Sequence, residues 1–369
     1  MKKIGIIGCG NISGAYLTHA AMFEAFDVVA VADLDLDRAK ARAQEFNVPR
    51  ACSVDELLAL DEVDLVINLT IPAAHGDLGL KALSAGKHVY NEKPLAIELS
   101  EAKAMLELAR SKGLRVGCAP DTFLGAGLQT ARAFVDSGGL GQPVGAHAMM
   151  VSNGPEKWHP DPEFFFKSGA GPLIDMGPYY ITALVNFFGP IKRVSAFARA
   201  TFAERTVGSG PKAGQKIRVE TPTHIAAALE FASGPLANLT MSFDAVSGTA
   251  PNLELYGSEG ALLVNDPNMF SGELKTRDGK GPWGSGEWRD VSITRPYSEN
   301  SRGIGVADMI YAIEHNRPHR ASGDLAYHVL ETMHSILRAA DQGNAITLES
   351  TVERPAALPE GDTEAILQH

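Results

Sequence analysis

Gly8 and Gly10 stand directly behind a short apolar run, Ile4, Ile6 and Ile7, and ahead of a segment in which Ile12, Tyr16, His19, Phe23 and Phe26 recur at spacings of three and four. The run reads as a buried parallel strand and the spacing as a helix. Strand, glycine turn and helix together make a phosphate cradle: the glycines permit a tight turn, and the helix start at Asn11 and Ile12 offers unpaired N–H groups to a pyrophosphate. The third glycine of the usual fingerprint is replaced by Ser13, with Gly14 next to it. A second apolar run, Val28 to Ala32, ends in Asp33, roughly 20 residues beyond the turn, where a ribose-binding carboxylate belongs. Such a carboxylate accepts both ribose hydroxyls of NAD and repels a 2′-phosphate. Leu34 follows it and Arg38 lies one turn on, so NAD is expected over NADP, with Arg38 the residue that could reverse the preference.

These groups require a scaffold of alternating strands and helices. Helices are expected over Asp35 to Phe46 and Gly76 to Ser84, and after Ser100, which can cap the next one up to Gly113. Ser53 and Glu56 have capping-box spacing. Strands fall at Leu65 to Leu69, His88 to Tyr90 and Leu114 to Ala119. Repeated βα units imply a parallel sheet covered by helices. A dinucleotide then lies outside the carboxyl ends of its strands, at the loop after Ile7, at Asp33, at Thr70-Ile71-Pro72 and at Asn91-Glu92-Lys93-Pro94. His75, at a helix start beside them, either faces the cofactor or packs.

After about residue 120 the pattern changes. Ile225, Ala227, Leu229 and Phe231 alternate, as do Leu239, Met241 and Phe243, with Ser233-Gly234-Pro235 as a hairpin turn between them. The expected architecture is a Rossmann dinucleotide-binding domain over 1–120 followed by an α+β domain over 121–369, whose large, mostly antiparallel sheet leaves one face open for a subunit interface. Gly208 to Gly214 and Gly279 to Gly286 read as mobile loops, helices return at Gly303 to His315 and Asp324 to Ala340, and the segment from Pro355 reads as a surface arm.

The chain has 369 residues, 45% hydrophobic and 21% charged, a composition that suits a two-domain globular enzyme. A net charge of −11 argues against a nucleic-acid partner. No apolar run approaches the roughly 18 residues of a membrane span, and the start is too short in apolar residues for a signal peptide. Cys9, Cys52 and Cys118 are scattered and form no CxxC, which fits a reduced cytoplasm. The histidines form no ligand cluster, so no metal is expected.

The stretches IGIIGCGNISGAY (4–16), AVADLDLDRA (30–39), GKHVYNEKPLA (86–96), GPLIDMGPYY (171–180) and LELYGSEGALLV (253–264) resemble the Gfo/Idh/MocA family of NAD(P)-dependent oxidoreductases, in the family's order; Glu92-Lys93-Pro94 is the most specific of them. The resemblance implies that Lys93 is the catalytic lysine beside the nicotinamide, donating to the substrate oxygen, with Pro94 fixing the peptide. Asp175 matches the aspartate of the family's Asp-x-Gly-x-His pattern, and Tyr179 stands at the histidine position, as in glucose–fructose oxidoreductase and dihydrodiol dehydrogenase. The resemblance makes Tyr179 the proton carrier, assisted by the Lys93 cation because a phenol ordinarily titrates at about 10. Tyr180 is its rival.

The bland readings stand beside these. Asp175 could cap a helix starting near Gly177. Asp121 and Phe123 form a substrate wall at the start of the second domain. Trp158 and His159 either fold onto a core with Phe164-Phe165-Phe166 or contact a sugar. The implied activity is hydride transfer between NAD and a secondary alcohol of a sugar, polyol or sugar derivative, by a homodimer or homotetramer built through the open sheet. Two other activities are open on the same scaffold: a redox-neutral, NAD-dependent glycosidase, and a non-catalytic NAD-binding sensor.

Overall fold

The computed structural model describes residues 1–246, 248–280, 286–361 and 364–369. The chain divides into two compact units: Met1–Ala126 with Thr294–Leu330 and Pro355–His369, and Gly127–Ile293 with Glu331–Arg354. A single boundary at residue 120 therefore gives way to an interleaved arrangement. Of the two loops expected from glycine content, Gly208 to Gly214 is described throughout; of Gly279 to Gly286, residues 281–285 lie outside the described residues.

The first unit is built on six parallel strands, β1 (Lys2–Ile7), β2 (Phe26–Ala32), β3 (Arg50–Cys52), β4 (Leu65–Asn68), β5 (His88–Asn91) and β6 (Val116–Cys118), in the order β3-β2-β1-β4-β5-β6. Strand order reverses between β1 and β4, which opens a crevice at their carboxyl ends. β4 is buried throughout and Ile4, Ile6 and Ile7 of β1 are at most 1% exposed, as strands covered on both faces must be. Helices α1 (Asn11–Ala20), α2 (Leu36–Phe46), α3 (Val54–Leu58), α4 (His75–Ser84) and α5 (Leu99–Lys112) alternate with them. The capping box on α3 forms, with Ser53 and Glu56 bonding each other's backbone N–H.

Three local expectations fail for local reasons. α1 stops at Ala20, so Phe23 lies in a turn and Phe26 begins β2; both are buried, and burial rather than helix continuity produced their spacing. Ser100 is inside α5, whose N-cap is Glu98 without a side-chain bond. The segment from Pro355 is no free arm. Arg320 binds the carbonyl oxygens of Ala356 (3.0 Å) and His369 (2.7 Å), and Arg317 that of Leu367; both guanidinium groups are held by buried Asp308. Glu364 accepts from the backbone N–H of Glu24 and Ala25 and from the Tyr311 hydroxyl.

The second unit carries a nine-stranded sheet. Its strands are β7 (Pro143–Val151), β8 (Ile191–Arg199), β11 (His224–Phe231), β12 (Leu236–Ser242), β13 (Leu253–Gly257), β14 (Gly260–Val264), β15 (Lys275–Asp278), β16 (Arg289–Asp290) and β17 (Ile346–Thr347), in the order β16-β15-β14-β13-β7-β12-β11-β8-β17; β9 (Glu204–Thr206) and β10 (Lys216–Arg218) form a separate ribbon. Among the described residues of this sheet only the β7–β12 pair is parallel. Helix α7 (Pro172–Phe188) packs against β7, β11 and β12. The opposite face of the sheet carries outward side chains, among them Ser195, Phe197 (82% exposed), Ala226, Ala228 and Asn238. The remaining helices are α6 (Ala126–Asp136), α8 (Ile304–Glu314) and α9 (Gly323–Gln342).

Leu367 is fully buried, so Leu367→Ala should cost about 2–5 kcal/mol and lower the urea midpoint of the first unit. An unchanged midpoint would show that the segment contributes nothing to that unit.

Candidate active site

In the first unit the crevice is bounded by the turn between β1 and α1. Gly8 has φ +101°, and a Cβ there would sit 2.6 Å from the Leu69 carbonyl carbon, so the turn passes too close to the backbone after β4 for any other residue. Gly10 is the N-cap of α1 and makes no side-chain cap; nothing lies within 4 Å of where its Cβ would be. A ten-residue helix thus presents its first N–H groups, at Asn11 and Ile12, to open space. Ser13, at the position of the missing glycine, is fully buried and donates to Gly10 O at 2.6 Å, closing the turn.

Asp33 directly follows β2, with its side chain only 9% exposed. One carboxylate oxygen accepts from Cys9 N (2.8 Å), the other from Asp35 N (2.9 Å). Arg38 reaches both carboxylates, at 3.6 Å from Asp33 and 3.5 Å from Asp35. Leu34 is wholly exposed and Ile71 is 70% exposed, apolar surfaces at strand ends that suit the faces of an adenine ring. Burial and the nearby Asp33 push the Cys9 thiol up to about 11, so it is inert.

Lys93 follows β5 with its side chain partly exposed, and its peptide to Pro94 is cis. The groups around it are held from inside the unit. Glu92 accepts from the Tyr16 hydroxyl (2.9 Å) through one oxygen and from Lys93 N (3.0 Å) through the other, with Arg302 at 3.8 Å. Asn68 and Asn91, partners in register at the ends of β4 and β5, bond each other at 3.2 Å. Asn91 also donates to Leu95 O, and Asn68 Oδ1 accepts from the Thr70 hydroxyl.

Glu92, placed at the dinucleotide by the sequence, and His75, read as either facing the cofactor or packing, both point into the protein. His75 is fully buried, with Nδ1 2.6 Å from Pro94 O and Nε2 3.1 Å from Thr70 O. Burial lowers its pKa. Pro72 begins a single 3₁₀ turn, Pro72–Ala74, that leads into α4. Asp121 and Phe123 are likewise interior rather than a wall. Asp121 accepts from Gly303 N (3.0 Å) and Gly305 N (3.2 Å) at the start of α8, and burial raises its pKa.

In the second unit, α7 starts at Pro172 behind Gly171, whose φ is +92°. Asp175 is therefore in the first turn and is not a cap; its carboxylate there complements the helix dipole. Tyr179 is four residues on, on the same face, and is 6% exposed. Tyr180 is committed elsewhere: it donates to Asp266 (3.0 Å) and accepts from Asn252 (3.0 Å). Burial and Asp266 drive its pKa far up.

Trp158 is 67% exposed and meets His159 edge-on at 5.4 Å. Their loop rests on a buried Arg205, paired with Glu156 (2.8 Å) and Asp244 (3.0 Å) and lying over the Phe166 ring. Among the described residues no group of three or more metal-ligating side chains occurs.

Tyr16, Asn68 and Arg302 escaped the sequence reading as site residues, while Asn91 lay in a loop already placed at the dinucleotide. A signal was present for Asn68, which ends a run of buried apolar residues.

Two family models match the chain: the oxidoreductase family with an NAD-binding Rossmann fold over residues 2–119, and the GFO/IDH/MocA C-terminal domain over 128–263. Among curated relatives, a 1,5-anhydro-D-fructose reductase of Ensifer adhaerens is 27% identical over 71% of this chain and 75% of its own length. A myo-inositol 2-dehydrogenase of Thermotoga maritima is 23% identical over 72% and 75%. Among solved structures, a levoglucosan dehydrogenase in complex with NADH and L-sorbose superposes with a TM-score of 0.80 at 21% identity, covering 95% of this chain and 99% of the other. With both parts of the chain matched in order and the glycine turn, Asp33 and Lys93 at the strand ends, the chain belongs to the Gfo/Idh/MocA family of NAD-binding oxidoreductases.

Proposed function

We propose that the protein is an NAD-dependent dehydrogenase acting on a secondary alcohol of a sugar, polyol or sugar derivative. The observation that carries this reading is the pairing of Asp175 and Tyr179 on one face of α7 while Tyr180 is bound to Asp266. The polyol and sugar names of the relatives support the substrate class.

Gly8, Gly10, Asn11 and Ile12 would hold the pyrophosphate of the cofactor and Asp33 its adenosine ribose, with Leu34, Thr70, Ile71 and Pro72 supplying the surface for the adenosine. NAD supplies the hydride acceptor when bound. Lys93 donates to the reacting oxygen and stabilises its charge. Tyr179 takes the hydroxyl proton in oxidation and returns it in reduction, with Asp175 orienting that oxygen and Trp158 and His159 contacting the sugar. The exposed sheet face around Phe197 pairs with a second copy of the chain. No helix among the described residues is long and apolar enough to cross a membrane.

A screen of NAD reduction across sugars, polyols and uronic acids tests the reading; net NADH release separates a dehydrogenase from a redox-neutral glycosidase, and no turnover on any of them would leave the sensor. On the best substrate, Lys93→Ala should lower kcat by about 10²–10⁴-fold with NADH affinity kept, as followed by nucleotide fluorescence; an unchanged kcat removes Lys93 from the chemistry. Asp33→Ala should raise kcat/KM for NADP relative to NAD by about tenfold or more, and a wild-type preference for NADP would overturn the cofactor assignment.

A further inference from the structure

We infer that His75 is a positioning residue, which sets the Lys93 backbone by donating its Nδ1 proton to the carbonyl oxygen of Pro94. The inference rests on the reading of Lys93 as the catalytic amine. Pro94 O closes the peptide unit immediately after Lys93, and the ring approaches it at 2.6 Å from a fully buried position. Its other nitrogen lies farther, 3.1 Å, from Thr70 O. A neutral imidazole carries one N–H, burial favours the neutral ring, and the shorter contact identifies the acceptor it serves. The two carbonyls belong to the loops that follow β4 and β5, so the ring stands between the Thr70 turn and the Lys93 turn.

The rest of the Lys93 turn is already held. Glu92 accepts from Lys93 N on one side, and Asn91 donates to Leu95 O on the other. Asn68 and Asn91 both donate to the backbone oxygen of His75, at 3.5 and 3.2 Å, so the base of the ring is fixed by the same pair that joins the strands. Pro94 O lies between these two, and the His75 ring meets it from the interior. A lysine held by its backbone in this way delivers its ammonium with less conformational freedom to lose, and a displacement of about 1 Å costs about 10²-fold in rate.

Two amide replacements separate this role from simple packing. In His75→Asn the side-chain NH₂ falls where Nδ1 was, keeping the donor to Pro94. In His75→Gln the NH₂ falls where Nε2 was, moving the donor to Thr70. Hydrogen exchange by mass spectrometry over residues 90–96, NADH affinity, and turnover on the best substrate of the screen are measured for both and for the wild type. The expected result for Gln is faster exchange in that peptide and a kcat lower by about 10–100-fold, with KM and NADH affinity within about threefold. For Asn it is wild-type exchange and recovery of kcat to within about threefold. Gln with wild-type exchange and kcat, or Asn and Gln equally impaired, overturns the proposal. If Gln fails to fold, faster exchange in folded Asn overturns it and wild-type exchange supports it. A wild type that oxidises no sugar or polyol defeats the dehydrogenase reading alone, because the exchange comparison still decides the clamp.

Discussion

Two buried asparagines facing one another across parallel strands are the constraint on which the candidate site depends. At the ends of β4 and β5 the ladder stops, and the backbone turns away from buried residues. Each buried N–H and C=O there needs a partner inside the protein, since an orphan costs about 1–3 kcal/mol. Asn68 and Asn91 supply those partners in both directions, to each other and to His75 O, Leu95 O and the Thr70 hydroxyl. The loops that carry Thr70 and Lys93 are consequently parts of one hydrogen-bonded block. Glu92 and Tyr16 extend the block to α1, and the glycine turn rests directly on the backbone at Leu69. The surfaces assigned to phosphate, adenosine and reacting oxygen thus share a single interior support.

The second unit solves a different problem. A long apolar helix, α7, lies on an antiparallel sheet, and its first turns must leave a polar face available. Pro172 and Gly171 fix where it starts, so Asp175 and Tyr179 fall one turn apart on one side. The adjacent tyrosine, rotated by about 100°, meets Asp266 and Asn252 and becomes part of the packing. Two neighbouring phenols of the same intrinsic chemistry are separated by helix geometry alone.

Much of this was legible in the residues, where the signal was local. The turn at Gly8, the carboxylate at Asp33 and the hairpin at Gly234 are written in runs of ten to thirty residues, short enough for pattern and spacing to decide. The direction of the His75, Glu92 and Asp121 side chains depends on partners far along the chain or across a strand pair, and nothing local states whether a polar side chain faces solvent or the interior. Phe23 and Phe26 show the same limit from the apolar side, since a core contact and a helical repeat leave the same trace. The docking of the last fifteen residues depends on Arg317 and Arg320, whose targets are backbone carbonyls and so carry no sequence signature at all.

Because the chain leaves the first unit after Ala126, re-enters it at Thr294, departs again after Leu330 and returns at Pro355, neither unit is one uninterrupted stretch of polypeptide. Exchange of the second unit between relatives requires grafting two insertions at once, with four junctions kept in register.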